Sequence, residues 1–142
     1  MTTLYYLETQ DFKGNSVYKI GITTGTVAFR YQKLDDSDYK ILFEKKLEDA
    51  CTLEGVIKDR FIDKLAFTSK RNITENTKLD SGYTETFNTD VLELDTYSLE
   101  DALNRIRNIK NISDIIETSR KNITGVKGAI FRSALTVAKY IQ

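Results

Sequence analysis

Two β-type runs separated by a polar turn open the chain, and they limit most strongly what it can fold into. Residues 4–7 (LYYL) are apolar and aromatic, and residues 17–22 (VYKIGI) are again rich in β-branched and aromatic side chains. The segment 11–16 between them (DFKGNS) contains a glycine and an asparagine, which favour a chain reversal. This pattern predicts an antiparallel hairpin. Residues 39–43 predict a third strand, which we expect to join the same sheet.

After the predicted hairpin, apolar residues recur at the spacing of a helix. Residues 27–34 predict a short helix that Thr26 can cap. Between residues 48 and 65 the apolar side chains recur at i, i+3 and i+4, which predicts a longer helix with one face on the sheet. Residues 68–82 are polar and lack periodicity, which predicts an exposed loop, and the YTETF run after them is a further candidate strand ending near Phe87.

The C-terminal third changes to a helical pattern. Ser98 begins an S-x-x-D capping pattern, and apolar stripes at helical spacing run through residues 99–109 and 126–141. The two predicted helices either close the core or form a partner surface, such as a homodimer interface, and their spacing does not choose between these. Since 142 residues fit one domain, we expect an α+β fold. We expect a small antiparallel three-stranded sheet in residues 1–95 and two further helices in residues 96–142, packed on this core.

Absent residue types and motifs exclude several classes of enzyme. The chain contains no histidine, so it cannot form a Ser-His or Cys-His nucleophile pair or a histidine-ligated zinc site. Neither GxGxxG nor GxxxxGK(S/T) occurs, so NAD- or ATP-driven chemistry is not expected. With 21 basic and 21 acidic residues, the chain has no overall charge that attracts polyanions, and any such site must be a local patch. Catalysis would have to use tyrosine, lysine, arginine and carboxylates.

The single cysteine, Cys51, lies in the apolar helical pattern and is expected to be a small core residue. One cysteine excludes a disulfide framework, which agrees with a reducing compartment. The sequence shows neither a signal-type apolar segment near its start nor a run of about 18 apolar residues. We therefore expect a cytoplasmic protein that is not inserted in a membrane.

Three side chains offer the groups that phosphodiester hydrolysis requires, namely a proton acceptor, a cation near the phosphate oxygens and charge stabilisation. Arg30 presents planar donors that suit phosphate oxygens. Glu54 lies along the rim of the apolar helix face, where a carboxylate is costly unless exposed, paired or bound to metal, and a pair with Lys58 is the simpler alternative. Tyr5 can accept a proton only if nearby positive charge, such as Lys19, or a metal lowers its pKa.

A small basic cluster lies in the polar segment and consists of Lys70, Arg71 and Lys78. Phosphate contacts need only mobile cations, so these side chains could follow a DNA backbone. Surface loops are often basic without such a role, and the pattern leaves both interpretations open. Glu85 alternates with Tyr83 and Phe87 at period two, so we expect the three on one face, where Glu85 could support the site.

Over residues 3–88 these motifs resemble the GIY-YIG nucleases, and in particular their short phage-type members. In that family a hairpin carries two short motifs. Here Thr3-Leu4-Tyr5 resembles the first motif and Lys19-Ile20-Gly21 the second, with Tyr18 in front of it as in the YKIG variant. Arg30 is similar to the arginine on the next helix.

Later segments extend the resemblance. Glu54, in DACTLEGVIKDRF, is similar to the metal-binding glutamate of the family, and GYTETF at residues 82–87 is similar to a stretch that closes the phage-type core. Asn88 follows close to where several members carry an asparagine, and it could hold a water or phosphate. Lys58 stands where many members have histidine.

The resemblance implies an endonuclease of a bacterial or phage-infected cell that cleaves DNA with a single divalent metal, Mg2+ or Mn2+. The implied catalytic residues are Tyr5, Lys19, Arg30 and Glu54, with Glu54 as the metal ligand. The resemblance also implies Tyr18, Lys58 and Asn88 as substrate-binding residues, to which the basic cluster adds Lys70 and Arg71, and the supporting residues are Gly21 and Glu85.

Three alternatives stay open at this point. The first motif lacks its glycine and Lys19 stands where tyrosine is usual, which would suit a binding module of the same fold that grips nucleic acid or inhibits a host protein without cutting. A different nuclease site could be formed by Asp36 with Glu44-Lys45-Lys46, an acid followed by E-x-K. The third alternative is a structural protein whose C-terminal helices form a dimer interface.

Overall fold

An antiparallel sheet organises the first 99 residues of the chain in a computed structural model, which describes residues 1–122. Its strand order is β3-β1-β2-β4. In the described residues the strands are β1 (Thr2–Gln10), β2 (Ser16–Thr23), β3 (Tyr39–Leu47) and β4 (Thr86–Phe87). The mixed α and β class is confirmed, but the expected three-stranded sheet is wrong, because the two-residue β4 pairs with β2 as a fourth strand.

The predicted hairpin is formed by β1 and β2, which pair along their whole length. The turn between them is closed by Asp11, whose carboxylate accepts hydrogen bonds from the backbone N–H groups of Lys13 and Asn15, both at 2.9 Å. Gly14 has a φ of +87°, a backbone conformation that glycine adopts without steric cost. Gly14 and the side chain of Asp11 thus have separate roles in reversing the chain.

The pleat of β1 sends adjacent tyrosines to opposite faces of the sheet, as their positions predict. Tyr5 joins a cluster that also contains Leu7, Val17, Val27 and Tyr31. Tyr6 stacks on Tyr18 of the neighbouring strand and packs against Phe43 of β3. Tyr5 and Tyr6 are both almost fully buried.

The first two helices are shorter than the sequence patterns predict. Helix α1 (Val27–Arg30) is capped as predicted, because the hydroxyl of Thr26 accepts a hydrogen bond from the N–H of Phe29 at 3.2 Å. Helix α2 (Ala50–Arg60) contacts β1 and β2, and the buried residues along it are Ala50, Leu53 and Ile57. The predicted core position of Cys51 is wrong. Cys51 is exposed, since it follows Ala50 by one residue and points about 100° away.

The expected loop at residues 68–82 contains a helix, α3 (Lys70–Asn76). Ser69 caps it by accepting a hydrogen bond from the N–H of Asn72 at 3.0 Å. Only Ile73 is buried in this helix. A single apolar residue in seven produces no periodicity, which is why the sequence pattern did not reveal a helix.

The YTETF run is a strand only at its end. Tyr83–Glu85 form a single 3-10 turn, which follows Gly82 at a φ of +92°. The hydroxyl of Thr86 donates to the carbonyl of Gly82 at 2.7 Å and closes this turn. The expected alternation of Tyr83, Glu85 and Phe87 on one strand face is therefore wrong.

Helix α4 (Leu99–Asn122) confirms the first of the two predicted C-terminal helices. The chain divides into two compact units, the first being Met1–Leu99 and the second beginning at Glu100. The predicted stripe at residues 126–141 lies outside the described residues. In the part of the chain that the structure describes, no helix is both long and apolar enough to cross a bilayer.

Candidate functional site

Glu85 connects two lysines from different elements into a charge cluster. The ammonium Nζ of Lys19, on β2, lies 3.2 Å from Oε2 of Glu85. The Nζ of Lys58, on α2, lies 3.6 Å from the other oxygen, Oε1. The Lys19 side chain is only 4% exposed and that of Glu85 24%, so this pair is shielded from water. We call Lys19, Lys58, Glu85 and the adjacent Glu54 the acid–lysine cluster.

The backbone at Gly82 makes room for the buried lysine. A Cβ atom at this position would collide with the Nζ of Lys19, and the positive φ of Gly82 also disfavours any other residue. The turn that carries Glu85 can therefore come directly against Lys19. This contact explains what the glycine of the GYTETF segment does here.

Glu54 is the unpaired member of the acid–lysine cluster. Its side chain is half-buried one turn before Lys58, but Lys58 extends to Glu85 instead. Within residues 1–122 Glu54 forms no hydrogen bond or ion pair through its side chain. Burial raises the pKa of Glu54, the charge of Glu85 raises it further, and Lys58 and Lys19 oppose the shift. A half-buried carboxylate without a direct partner is energetically unfavourable and suited to bind a cation.

Tyr5 reaches towards α1 and shares a hydrogen bond with Tyr31, a residue that the sequence analysis did not single out. The two hydroxyls are 2.9 Å apart and the rings meet edge to face with centroids 5.9 Å apart. Tyr5 is 1% exposed, so its hydroxyl is closed off from bulk water. Burial raises the pKa of Tyr31, and the neighbouring Tyr5 raises it further. The only sequence signal for Tyr31 was its place beside Arg30.

Gly21 lies opposite Tyr5 in the hairpin, and a Cβ there would overlap the Tyr5 hydroxyl and ring. We expect Gly21→Ala to lower the free energy of unfolding by about 1–3 kcal/mol, the usual cost of overpacking a core. Gly55→Ala is the matched control, since nothing lies within 4 Å of a Cβ at that position on α2. It should stabilise the protein by about 0.5–1 kcal/mol. Urea denaturation of both variants measures the difference, and equal stability would contradict this role of Gly21.

Arg30 lies at the exposed edge of the same region. Its guanidinium carbon is 5.9 Å from the centre of the Tyr31 ring. No carboxylate among residues 1–122 forms an ion pair with Arg30. After burial and Tyr5, the pKa of Tyr31 also responds to Arg30, which lowers it, and to Glu85, which raises it. Tyr31 is therefore within electrostatic range of both Arg30 and Glu85.

The strand β3 anchors α1 in this position. The carboxylate of Glu44 accepts a hydrogen bond from the N–H of Val27, the first residue of α1, at 2.7 Å. A carboxylate at a helix N-terminus satisfies a backbone donor that has no partner in the helix. Glu44, one of the acids of the alternative E-x-K pattern, therefore holds α1 in place.

Four other candidate residues form no hydrogen bond or ion pair with the acid–lysine cluster among the described residues. Tyr18 is on the opposite pleat from Lys19, with its hydroxyl 3.5 Å from Glu8. Arg71, beside the exposed Lys70 on α3, pairs with Glu75 at 2.7 Å. Asn88 is exposed after β4, and its backbone N–H donates to the carbonyl of Lys64 at 2.9 Å. No hydrogen bond or ion pair in the described residues joins Tyr18, Lys70, Arg71 or Asn88 to Glu54 or Glu85.

The structure places seven of the predicted site residues in two groups. In the first group Lys19 and Lys58 pair with Glu85, and Glu54 lies beside these charges. In the second group Tyr5 lies against Gly21 and shares a hydrogen bond with Tyr31, whose ring is close to Arg30. Among residues 1–122 there is no group of three or more acidic or cysteine side chains that could hold a metal. The chain matches no protein-family model, no curated protein and no solved structure. What this site does has to be inferred from its residues.

Proposed function

We propose that the chain is a GIY-YIG-type endonuclease that hydrolyses phosphodiester bonds in DNA with a single divalent metal. The observation that carries this proposal is the half-buried Glu54, which has no hydrogen-bond or ion-pair partner for its side chain in residues 1–122 and lies beside the Lys19–Glu85–Lys58 charges. Arg30 is exposed on α1, next to the Tyr31 that shares a hydrogen bond with Tyr5. A carboxylate able to take a cation and an arginine able to take a phosphate are the two groups that such a reaction needs most.

Glu54 is the residue that would hold the metal, Mg2+ or Mn2+. Mg2+ binds to proteins through one or two carboxylates and keeps several of its waters, so a cage of three acids is not required. Glu85 is already paired with Lys19 and Lys58, which leaves Glu54 as the available carboxylate of the acid–lysine cluster. When bound, the metal supplies positive charge that stabilises the phosphoryl oxygens in the transition state.

Arg30 and Tyr5 have the roles that the resemblance implies. Arg30 is exposed, always charged and without a carboxylate partner among the described residues, so its donors can bind the phosphate that is attacked. Tyr5 is the proposed proton acceptor. This role requires the phenolate form of Tyr5. Since its oxygen is buried and bonded to Tyr31, the Tyr31 hydroxyl would donate its own proton to Tyr5 while it accepts one from the attacking water.

Plasmid cleavage with Mg2+ and with Mn2+ tests the proposal. Arg30→Ala should lower the cleavage rate by about 10²-fold or more, the range for removing a group that stabilises developing charge. Arg60→Ala is the matched control, because Arg60 also lies over a neighbouring aromatic ring, 5.4 Å from the centre of Phe61, but on α2. Equal loss in both variants would contradict a specific role of Arg30, and equal cleavage by wild type and variants would indicate a contaminating nuclease.

A second function, nucleic-acid binding without cleavage, is favoured by one observation. The Tyr5 hydroxyl is closed off by Tyr31, and the Lys19 ammonium is held by Glu85, so neither group is free to react as it stands. The same experiment separates the two functions. Wild-type protein that binds DNA but cuts no plasmid with any divalent metal would be a binding module of this fold.

A further inference from the structure

A cleft of about 550 Å3 lies next to Arg30. It is formed by the end of α1, the residues that follow α1 and the segment after α3. This volume falls within the range of roughly 300–1,000 Å3 that is typical of ligand sites. The residues of its wall that matter for charge and shape are Arg30, Tyr31, Lys33, Lys78, Leu79 and Asp80. Lys33 was not part of any sequence motif, and Lys78 belonged to the basic cluster in the polar segment.

The charge of the cleft wall is mainly positive. Three cations, Arg30, Lys33 and Lys78, face one acid, Asp80. Within residues 1–122 neither Arg30 nor Lys33 forms an ion pair. The Nζ of Lys78 lies 2.7 Å from Asp38, whose side chain is 15% exposed, but the lysine side chain is 56% exposed. The ammonium is therefore accessible from solvent, where ion pairs are screened and contribute little. The chain as a whole has no net charge, so this cleft is the kind of local patch that a polyanion would need.

We propose that this cleft binds the sugar–phosphate backbone of a nucleic-acid strand beside the bond that is cut, with Lys33 and Lys78 each contacting one phosphate. Arg30 lines the cleft and also belongs to the proposed active site, so a strand held there would continue from the attacked phosphate to its neighbours. The location of the cut bond rests on the proposed function, whereas strand binding requires no cleavage. Lys78 exchanges its contact with Asp38 for a phosphate when the strand binds.

Salt-dependent binding without metal tests this directly. The probe is a fluorescein-labelled DNA of 20 nucleotides, either single-stranded or double-stranded. Its fluorescence anisotropy is measured on titration with protein at several KCl concentrations, with EDTA present to remove divalent metal. Each lost phosphate contact reduces the slope of log Kd against log salt by about 0.7–0.9. We expect this reduction for Lys33→Ala and for Lys78→Ala. Lys45→Ala is the matched control, since Lys45 is exposed on β3 opposite Leu4, on the other face of the sheet from Tyr5.

Asp38→Asn provides a variant with the opposite expectation. It frees Lys78 from its carboxylate partner, so it should tighten DNA binding and increase the salt slope. This gain cannot result from misfolding, which would weaken binding. A slope unchanged in both lysine variants would overturn the proposal.

Competition identifies the chemistry of the occupant. Unlabelled DNA should displace the probe at concentrations at which polyglutamate and inorganic phosphate do not. Equal displacement by polyglutamate would indicate a site for acidic peptide, and equal displacement by inorganic phosphate a site for free phosphate, and each would overturn the proposal. Reduced slopes in the lysine variants of a protein that never cuts DNA would support the strand-binding cleft and contradict the nuclease function. DNA cleavage by the wild type with unchanged slopes in the lysine variants would support the nuclease function and contradict the strand-binding cleft.

Discussion

Replacing Glu54 with glutamine is expected to reduce metal-dependent DNA cleavage by roughly 10²- to 10³-fold, the range for removing a group that stabilises transition-state charge. Glutamine keeps the shape of the side chain and removes the charge that would hold the metal. Asp59→Asn is the matched control, because Asp59 is an exposed acid on the same helix. A plasmid assay with Mg2+ or Mn2+ measures both variants, and full activity of Glu54→Gln would exclude Glu54 as the ligand.

Thermal unfolding gives a readout for Glu54 that does not depend on cleavage. Mg2+ or Mn2+ should raise the Tm of the wild type and of Asp59→Asn, since a ligand bound only by the folded state stabilises it. The Tm of Glu54→Gln should not respond. A metal-dependent rise of the same size in all three proteins would place the cation elsewhere.

The pH dependence of stability gives the same residue a third test. Burial, followed by the charge of Glu85, raises the pKa of Glu54 in the folded state, so the folded protein binds this proton more tightly than the unfolded chain. The stability contributed by this bound proton is therefore fully present below the pKa of a glutamate in the unfolded chain, about 4.3. It is lost as pH rises through the raised pKa of Glu54 in the folded protein. Glu54→Gln should thus gain stability relative to wild type between pH 4 and pH 7 in the absence of metal. A constant difference over this window would contradict the raised pKa.

Local patterns were sufficient to predict the scaffold of the site. The hairpin followed from turn residues between two β-type runs, the cap of α1 from Thr26, and the buried face of α2 from the spacing of Leu53 and Ile57. The separation of Tyr5 and Tyr6 onto two faces followed from the period of a strand. Each of these depends on residues a few positions apart, which is the range over which sequence periodicity carries information.

The pairing within the site could not be predicted in this way. Helical spacing favours a Glu54–Lys58 pair at i, i+4, but Lys58 reaches Glu85 at 3.6 Å, and Lys19 reaches the same carboxylate from 66 residues away in the sequence. The single turn at Tyr83–Glu85, started by Gly82, decides this choice, because it directs Glu85 towards the lysines. Tyr31 was missed for the same reason, since its partner Tyr5 is 26 residues away.

Lys19→Met is expected to lower the free energy of unfolding by about 2–4 kcal/mol. Breaking a buried ion pair by removing one partner costs about 3–5 kcal/mol, because the remaining charge is left uncompensated. The expected value is at the lower end because Glu85 keeps Lys58 and its side chain is 24% exposed. Guanidinium or urea denaturation measures the loss, and a change below about 0.5 kcal/mol, the usual limit for surface substitutions, would show that the pair is not shielded.

The double variant Lys19→Met/Glu85→Gln separates the structural role of Lys19 from a catalytic one. Because it leaves no uncompensated buried charge, it should recover more than half of the stability lost in Lys19→Met, as replacing both members of a buried pair is often neutral. If Lys19 acts only by holding Glu85 and the turn after Gly82, the stable double variant will still cut DNA. If the ammonium itself acts on the substrate, cleavage will stay lost although the fold is restored, since no other residue supplies that charge from β2. The activity of the double variant, measured well below its Tm, therefore decides which role the lysine of the YKIG segment has.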